Sequence, residues 1–399
     1  MTAARAAPPI ALFAAAAAGA GAAFAQPAPP DDLFVLGDSL SDVGNAAAVT
    51  DFLLDEPFYP EHTIGFCNPG EILMLERDCA DLFYRRSRVS DGPVAVEHLA
   101  AALGLPELVP SFHILPDRPE AGTNYAVAGA KARDSGPSGL ARQVDALQLD
   151  RGPTLPAGAL YLVMIGGNDA IDALQAAALP ALTAGEEALP APGAAAGGAG
   201  DDGAAAGDAA AADRIIAAAV DSIAENVERL IGAGARRVVV ANIPDLSVLP
   251  AVRATAQEQG VSVEVALEAA RSVTESFNAL LADRLAEIEV RLPAAQLGRF
   301  DFAAALAAER AAAEEAGRNT SDACFDSERY LASLDAERAF HEGCAPNDGG
   351  APRFDDFLFW DGIHPTGAVH EALGGALSSA VAAPAAPAPP VTAKVSARR

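Results

Sequence analysis

Moving an acyl group off an ester takes an activated hydroxyl, a base to take its proton and a group that orients the base. This chain carries candidates for all three in two short segments near its opposite ends. Ser39 lies in Gly37-Asp38-Ser39-Leu40-Ser41-Asp42, directly after an apolar run. A hydroxyl held at a strand end is exposed at the sheet edge, where a base can reach it. Serine in a turn is also a common capping residue, so this segment alone leaves both uses open. The second segment is Phe359-Trp360-Asp361-Gly362-Ile363-His364-Pro365-Thr366. Its carboxylate and imidazole stand three positions apart in a loop bounded by Gly and Pro. One short turn can point both the same way, and Asp361 would then fix the tautomer of His364 and stabilise its charged form. Of the six histidines, only His364 has such a partner in a loop. Read alone, the pair is equally an ordinary surface turn.

Acyl transfer also requires donors aimed at a developing oxyanion. Gly166-Gly167-Asn168-Asp169 offers the Asn168 amide beside glycines that permit close approach. Gly129, in Gly122-Thr123-Asn124-Tyr125-Ala126-Val127-Ala128-Gly129-Ala130, offers a backbone N–H where a side chain would intrude. Each of these segments alone reads as a turn.

The elements that must position these groups follow from hydrophobic patterning. Short apolar runs at 33–36, 159–165 and 237–241 end in Gly, Gly-Gly and Asn and read as buried strands. Helical patterns span 93–103, 213–231 and 263–292, closing at Gly104, Gly232 and Pro293. This alternation predicts an α/β fold with a parallel sheet covered on both faces. In such sheets chemistry sits at the carboxyl ends of the strands, where Ser39 and Asn168 fall. Residues 176–212 are dominated by Ala, Gly, Pro and acidic residues and read as a low-complexity insertion, either a lid or a surface loop. A Pro/Ala-rich tail covers 381–399.

The net charge of −27, with lysine only at positions 131 and 394, argues against nucleic acid and anionic membrane surfaces as partners. Residues 1–25 have the pattern of a secretory signal peptide, with Arg5, an apolar stretch and the ending Ala23-Phe24-Ala25, which predicts cleavage after Ala25. The apolar stretch is short for a spanning helix, and no integral membrane segment is expected in the mature chain. Residues 26–32 form a spacer and 33–380 the main domain. Export to the periplasm or medium suits the four cysteines, Cys67, Cys79, Cys324 and Cys344. They allow three connectivities, of which Cys67–Cys79 with Cys324–Cys344 closes the shortest loops. A zinc site is the competing reading, favoured by neither C-x-x-C spacing nor clustered histidine. Nothing in the sequence fixes the oligomeric state.

Taken together, the four segments resemble the signature blocks of the GDSL, or SGNH, hydrolase family. FVLGDSLSDVGN at 34–45 resembles the first block, TNYAVAGA at 123–130 the second, GGND at 166–169 the third and WDGIHPT at 360–366 the last. Arg88-Val89-Ser90-Asp91-Gly92-Pro93 and Ala241-Asn242-Ile243-Pro244-Asp245 extend the likeness, which runs from about Leu33 to Ser378.

The resemblance implies a flavodoxin-like three-layer α/β/α sandwich with a mainly parallel central sheet. No G-x-S-x-G elbow surrounds Ser39, which argues against the α/β-hydrolase fold. It implies Ser39 as nucleophile, His364 as base and acid, and Asp361 as the residue that orients it. The oxyanion hole would comprise the N–H groups of Ser39 and Gly129 and the amide of Asn168, with Ala128 as an alternative to Gly129. The implied activity is hydrolysis of a small-molecule or lipid ester, needing no cofactor and no metal. Two other readings stand beside it: an acyltransferase using the same acyl-enzyme, and a non-catalytic carbohydrate- or surface-binding module on the same fold. Phe52, Leu53, Leu54, Phe58 and Tyr59 would line an acyl site or belong to the core.

Overall fold

Runs of Val, Leu, Ile and aromatic residues bounded by glycine form short strands because such residues fit a pleated surface buried on both faces. In the computed structural model, which describes residues 29–48, 88–116, 122–184, 203–326, 339–345 and 352–382, four such strands line up in parallel. They are β1 (Leu33–Gly37), β2 (Leu160–Met164), β3 (Arg237–Ala241) and β4 (Gln296–Phe300), in that spatial order. Leu33 pairs with Leu160, Leu160 with Arg237 and Arg237 with Gln296, so the carboxyl ends lie along one edge. β1 and β2 are buried at every position, whereas β4 buries only Leu297 and Phe300, as an edge strand does.

Residues 123–127 flank β1 on its other side. Val35 N–H donates to the Thr123 carbonyl at 3.0 Å, Tyr125 N–H to Val35 at 2.7 Å and Val127 N–H to Gly37 at 3.1 Å. The chain therefore leaves β1 for one neighbour and crosses back to β2 on the other. That reversal is the topological switch point, where open α/β sheets present a crevice beyond their strand ends.

Helices cover both faces. α1 (Ala95–Ala102), α7 (Phe302–Glu315) and α8 (Gly367–Ala382) form one layer. α2 (Leu140–Arg151), α3 (Gly167–Ala184), α4 (Gly203–Gly232) and α6 (Val263–Arg291) form the other, and α5 (Pro250–Glu258) packs on α6. The expected α/β/α sandwich is thus the observed one. The expected strands at 33–36, 159–165 and 237–241 and the helices at 93–103, 213–231 and 263–292 correspond to β1, β2, β3, α1, α4 and α6. β4, α2, α3, α5, α7 and α8 were not anticipated. Helix occupies both ends of the Ala/Gly-rich stretch 176–212, since α3 runs to Ala184 and α4 starts at Gly203, with Ala212 fully buried. The expected leader and its cleavage site, the Cys67–Cys79 pairing, the apolar residues Phe52–Tyr59 and the tail beyond residue 382 lie outside the described residues.

A smaller cluster stands apart from the main core. β5 (Asn319–Ala323) pairs with β6 (Phe357–Phe359), and Cys324 is disulfide-bonded to Cys344. Both cysteines belong to a buried cluster with Phe325, Phe354, Phe357 and Trp360. The bridge closes a loop of 20 residues. In the chain-entropy account this is worth about 3 kcal/mol. Cys324→Ser/Cys344→Ser is therefore expected to lower the denaturant midpoint and, because the unfolded chain is no longer cross-linked, to steepen the slope, measured by urea unfolding; an unchanged midpoint would show the bridge to be energetically silent.

α1 and α8 meet through a buried imidazole. His370 Nδ1 accepts the N–H of Ala95 at the start of α1 at 3.2 Å, its Nε2 is buried with no partner among the described residues, and the ring is fully inaccessible. Burial pushes its pKa down to about 3, and the charges of His364 and His98 act in the same direction. Between roughly pH 6.5 and 3 the unfolded chain takes a proton that the folded one refuses, so stability falls as pH falls, by up to about 1.4 kcal/mol per pH unit. His370→Gln, which retains an acceptor for Ala95, is expected to flatten unfolding free energy against pH between 6.5 and 4. Equal slopes in both proteins would exclude this imidazole as the cause.

Candidate active site

The first requirement of the site is a sharp turn after β1. A Cβ on Gly37 would lie 2.2 Å from Ser41 Oγ and 2.5 Å from the Met164 carbonyl, so no larger residue fits. The backbone of Gly37 is also gripped from α2: Gln143 Oε1 accepts its N–H and Gln143 Nε2 donates to its carbonyl, both at 2.8 Å. Ser39 then stands just past the strand end, 9% exposed.

Two buried residues of the same segment tie this turn to the neighbouring one. Asp42 accepts the N–H groups of Gly44 and Asn45 at 2.7 Å, Ala46 at 3.0 Å and Ala128 at 2.9 Å. Asn45 donates to the carbonyls of Asn124 and Ala126, and Asn124 donates back to Ser41. Because Asp42 takes the N–H of Ala128, that group is committed, whereas the N–H groups of Gly129 and Ser39 meet no acceptor among the described residues. Gly129 has φ +77°, a left-handed conformation that side chains disfavour, although open space surrounds the position a Cβ would take. Glycine is needed there for backbone shape rather than for room.

Two residues past β2 stands Gly166, with φ +124° and no space for a Cβ, which would lie 2.5 Å from Phe277. α3 starts at once, bringing Asn168 and Asp169 into its first turn. Asn168 Nδ2 donates to the Ala130 carbonyl at 2.9 Å, and Asp169 accepts the N–H of Ala132 at 2.7 Å and a bond from Arg133 at 3.0 Å. Asn168 therefore adjoins the Gly129 turn, and it lines the same cleft as Ser39.

The imidazole comes from the far end of the chain. β6 leads to a tight loop closed by Trp360 N–H donating to the His364 carbonyl at 2.8 Å, with Trp360 packed on Phe325 beside the disulfide. The Arg88–Pro93 segment supports this loop from below. Ser90 Oγ donates to the Pro365 carbonyl at 3.1 Å, Asp91 accepts Gly367 N–H at 2.8 Å, and Gly92 and Gly367 are in backbone contact. Arg88, itself 2% exposed, is held by Glu97 at 2.6 Å.

His364 Nε2 then lies 2.8 Å from Ser39 Oγ, and His364 Nδ1 lies 2.9 Å from both carboxylate oxygens of Asp361. Asp361 Oδ1 also accepts the N–H groups of Ile363 at 2.8 Å and His364 at 2.7 Å. Burial works to raise the pKa of Asp361, but the charge of His364 and these donors outweigh it and hold the group below its ordinary value. Since an ionised carboxylate only accepts, Nδ1 carries the proton of the neutral ring and Nε2 offers its lone pair to Ser39. For His364 burial works downward, and Asp361 outweighs it with help from Asp38, so its pKa lies above 6.5.

Sequence reading assigned no role to Asp38, which lines the cleft at 3% exposure. Burial pushes its pKa up to about 7, against the opposing pull of the Leu40 N–H and His364. The cleft walls were also missed: Ile171, Leu246, Leu249, Phe302 and Leu306 are apolar residues from three separate segments. No local signal marks them, because they meet only in the fold. Among the described residues, no group of three or more His, Cys, Asp or Glu is gathered as a metal site, and no helix is long and apolar enough to cross a membrane.

Comparison with curated proteins gives no match. A family model does match: that of the GDSL-like lipase/acylhydrolases aligns with residues 33–377, nearly the whole chain and all of the segments that build this cleft. The chain therefore belongs to the GDSL-like lipase/acylhydrolase family.

Proposed function

We propose that this protein hydrolyses carboxylic esters through an acyl-enzyme on Ser39. The observation that carries the reading is the continuous hydrogen-bonded line from Ser39 Oγ to His364 Nε2 at 2.8 Å and from Nδ1 to Asp361 at 2.9 Å. His364 takes the Ser39 proton as the hydroxyl attacks the ester carbonyl, and Asp361 stabilises the resulting imidazolium. The carbonyl oxygen becomes an oxyanion facing the N–H groups of Ser39 and Gly129 and the amide of Asn168. Support for this assignment is that neither N–H has an acceptor in the described residues and that Asn168 adjoins the Gly129 turn. The positive end of α3, which starts at Gly167, adds to the same field. Collapse of the tetrahedral species expels the alcohol with the proton returned by His364. Water, deprotonated by the same ring, then releases the acid and restores Ser39.

The Cys324–Cys344 bridge favours an oxidising compartment, in keeping with the export expected from residues 1–25.

Hydrolysis of p-nitrophenyl acetate tests the nucleophile. Ser39→Ala is expected to abolish turnover, and Asn168→Ala to lower kcat by about 100-fold or more with a smaller change in KM. Full activity in Ser39→Ala would refute the assignment, and acyl transfer to an added alcohol in place of hydrolysis would mark an acyltransferase.

The pH profile tests the base. Only neutral His364 can accept the proton, so kcat/KM should rise with pH through its pKa. With that pKa raised by Asp361, the midpoint is expected above 6.5, and Asp361→Asn should move it to lower pH while reducing the plateau. A midpoint below 6.5 in the parent protein would contradict this coupling.

A further inference from the structure

One side chain grips the nucleophile turn from behind the cleft. Gln143, on α2, is fully buried and lines no part of the cavity at Ser39. Its Oε1 accepts the Gly37 N–H, and its Nε2 donates to the carbonyls of Gly37 and Ser138, each at 2.8 Å. The Gly37 carbonyl also accepts the N–H of Val127 at 3.1 Å. Residues 127–143 therefore form a strap with both ends fastened to the same glycine, which stands two positions before Ser39. Between those ends the strap carries the Gly129 turn, the Ala130 carbonyl that receives Asn168 Nδ2 at 2.9 Å, and the Ala132 N–H held by Asp169 at 2.7 Å. It then crosses the surface, with Asp134, Ser135 and Pro137 exposed, before turning back into α2.

We infer that Gln143 is a positioning residue for the proposed hydrolysis: by clasping the far end of this strap to Gly37, its amide sets the spacing between the Ser39 hydroxyl and the oxyanion donors at Gly129 and Asn168. The inference rests on the reading of Ser39 as the nucleophile of an ester hydrolase. An amide suits the task because it accepts and donates at once, and Gly37 presents both an N–H and a carbonyl to it. Methionine has nearly the same reach and volume but supplies neither bond, so the strap would be tied to Gly37 at Val127 alone. Reacting groups misplaced by about 1 Å lose on the order of 100-fold in rate. Because Gln143 lies outside the cleft, its loss falls on kcat and spares KM. Glutamic acid mimics the amide only while protonated, when its carbonyl accepts the Gly37 N–H and its O–H donates to the Gly37 carbonyl. Once ionised it has no proton to give and faces two carbonyl oxygens.

The test is hydrolysis of p-nitrophenyl acetate by the parent protein, Gln143→Met, Gln143→Glu, Asn168→Ala and Asn168→Ala/Gln143→Met, with Ser39→Ala supplying the background. Each rate is divided by the folded fraction from near-ultraviolet circular dichroism, which removes any loss due to unfolding alone. Gln143→Met is expected to lower kcat by about tenfold or more while KM changes by less than about twofold. In the Asn168→Ala background the same substitution should cost a smaller factor, because one of the donors it aligns is already gone. Gln143→Glu, kept protonated at pH 6 by burial, should stay within about threefold of the parent there and fall about tenfold behind by pH 9. Equal kcat per folded molecule in the parent and Gln143→Met, the same factor in both backgrounds, or a loss that Gln143→Glu does not relieve at pH 6 would overturn the positioning role and leave the esterase reading intact. If Gln143→Met does not fold, Gln143→Glu decides, and a variant that keeps pace with the parent from pH 6 to pH 9 overturns the role. Failure of the esterase reading shows differently: the parent itself would turn over no faster than Ser39→Ala.

Discussion

A hydrogen bond of 2.8 Å joins two side chains separated by 325 residues, and most of the architecture bears on keeping it short. One end is fixed by the turn after β1, which only glycine can make and which Gln143 clamps from an adjacent helix. The other end is fixed by a four-residue loop that the disulfide cluster holds from one side and the Arg88–Pro93 segment from the other. An imidazole displaced by an ångström would no longer lie within hydrogen-bonding reach of the Ser39 hydroxyl. The large parallel sheet thus serves as a ruler between the two ends.

Buried or half-buried aspartates are the recurring device by which the loops are set. Asp42, Asp91, Asp169 and Asp361 each accept backbone N–H groups from a loop at the strand ends or beside the His364 loop. Burial raises the pKa of the first three despite those bonds. Asp361 is held low instead, because it faces an imidazole that can take the opposite charge. One residue type therefore has two uses, organising backbone where it meets amides and sustaining charge separation where it meets His364.

Much of this was legible in the sequence, and the divide is physical. β1, β2 and β3 are buried on both faces, so they read as continuous apolar runs. β4, with the sequence QLGRF, is an edge strand with a mid-strand glycine that buries only Leu297 and Phe300, neither a continuous run nor an alternation, which leaves no local pattern to find. Ser39, Gly129, Asn168, Asp361 and His364 sit in turns whose glycines and spacing mark them. The clamp by Gln143 and the walls from Leu246, Phe302 and Leu306 depend on side chains meeting across more than a hundred positions. That Asp42 accepts the N–H of Ala128 was likewise invisible before the fold, since the two lie 86 positions apart.

The docking of α8 on α1 bears on when the site comes into being. α8 follows the His364 loop directly and is the last described element, while Ser39 belongs to the first strand. Contacts between such distant stretches form late, because the entropy of closing so long a chain must be overcome before they give anything back. The hydroxyl and the imidazole therefore meet only after the intervening sheet and helices are in place. The pair is thus completed at the end of folding, and a chain that stops before the His364 loop holds Ser39 without its imidazole partner.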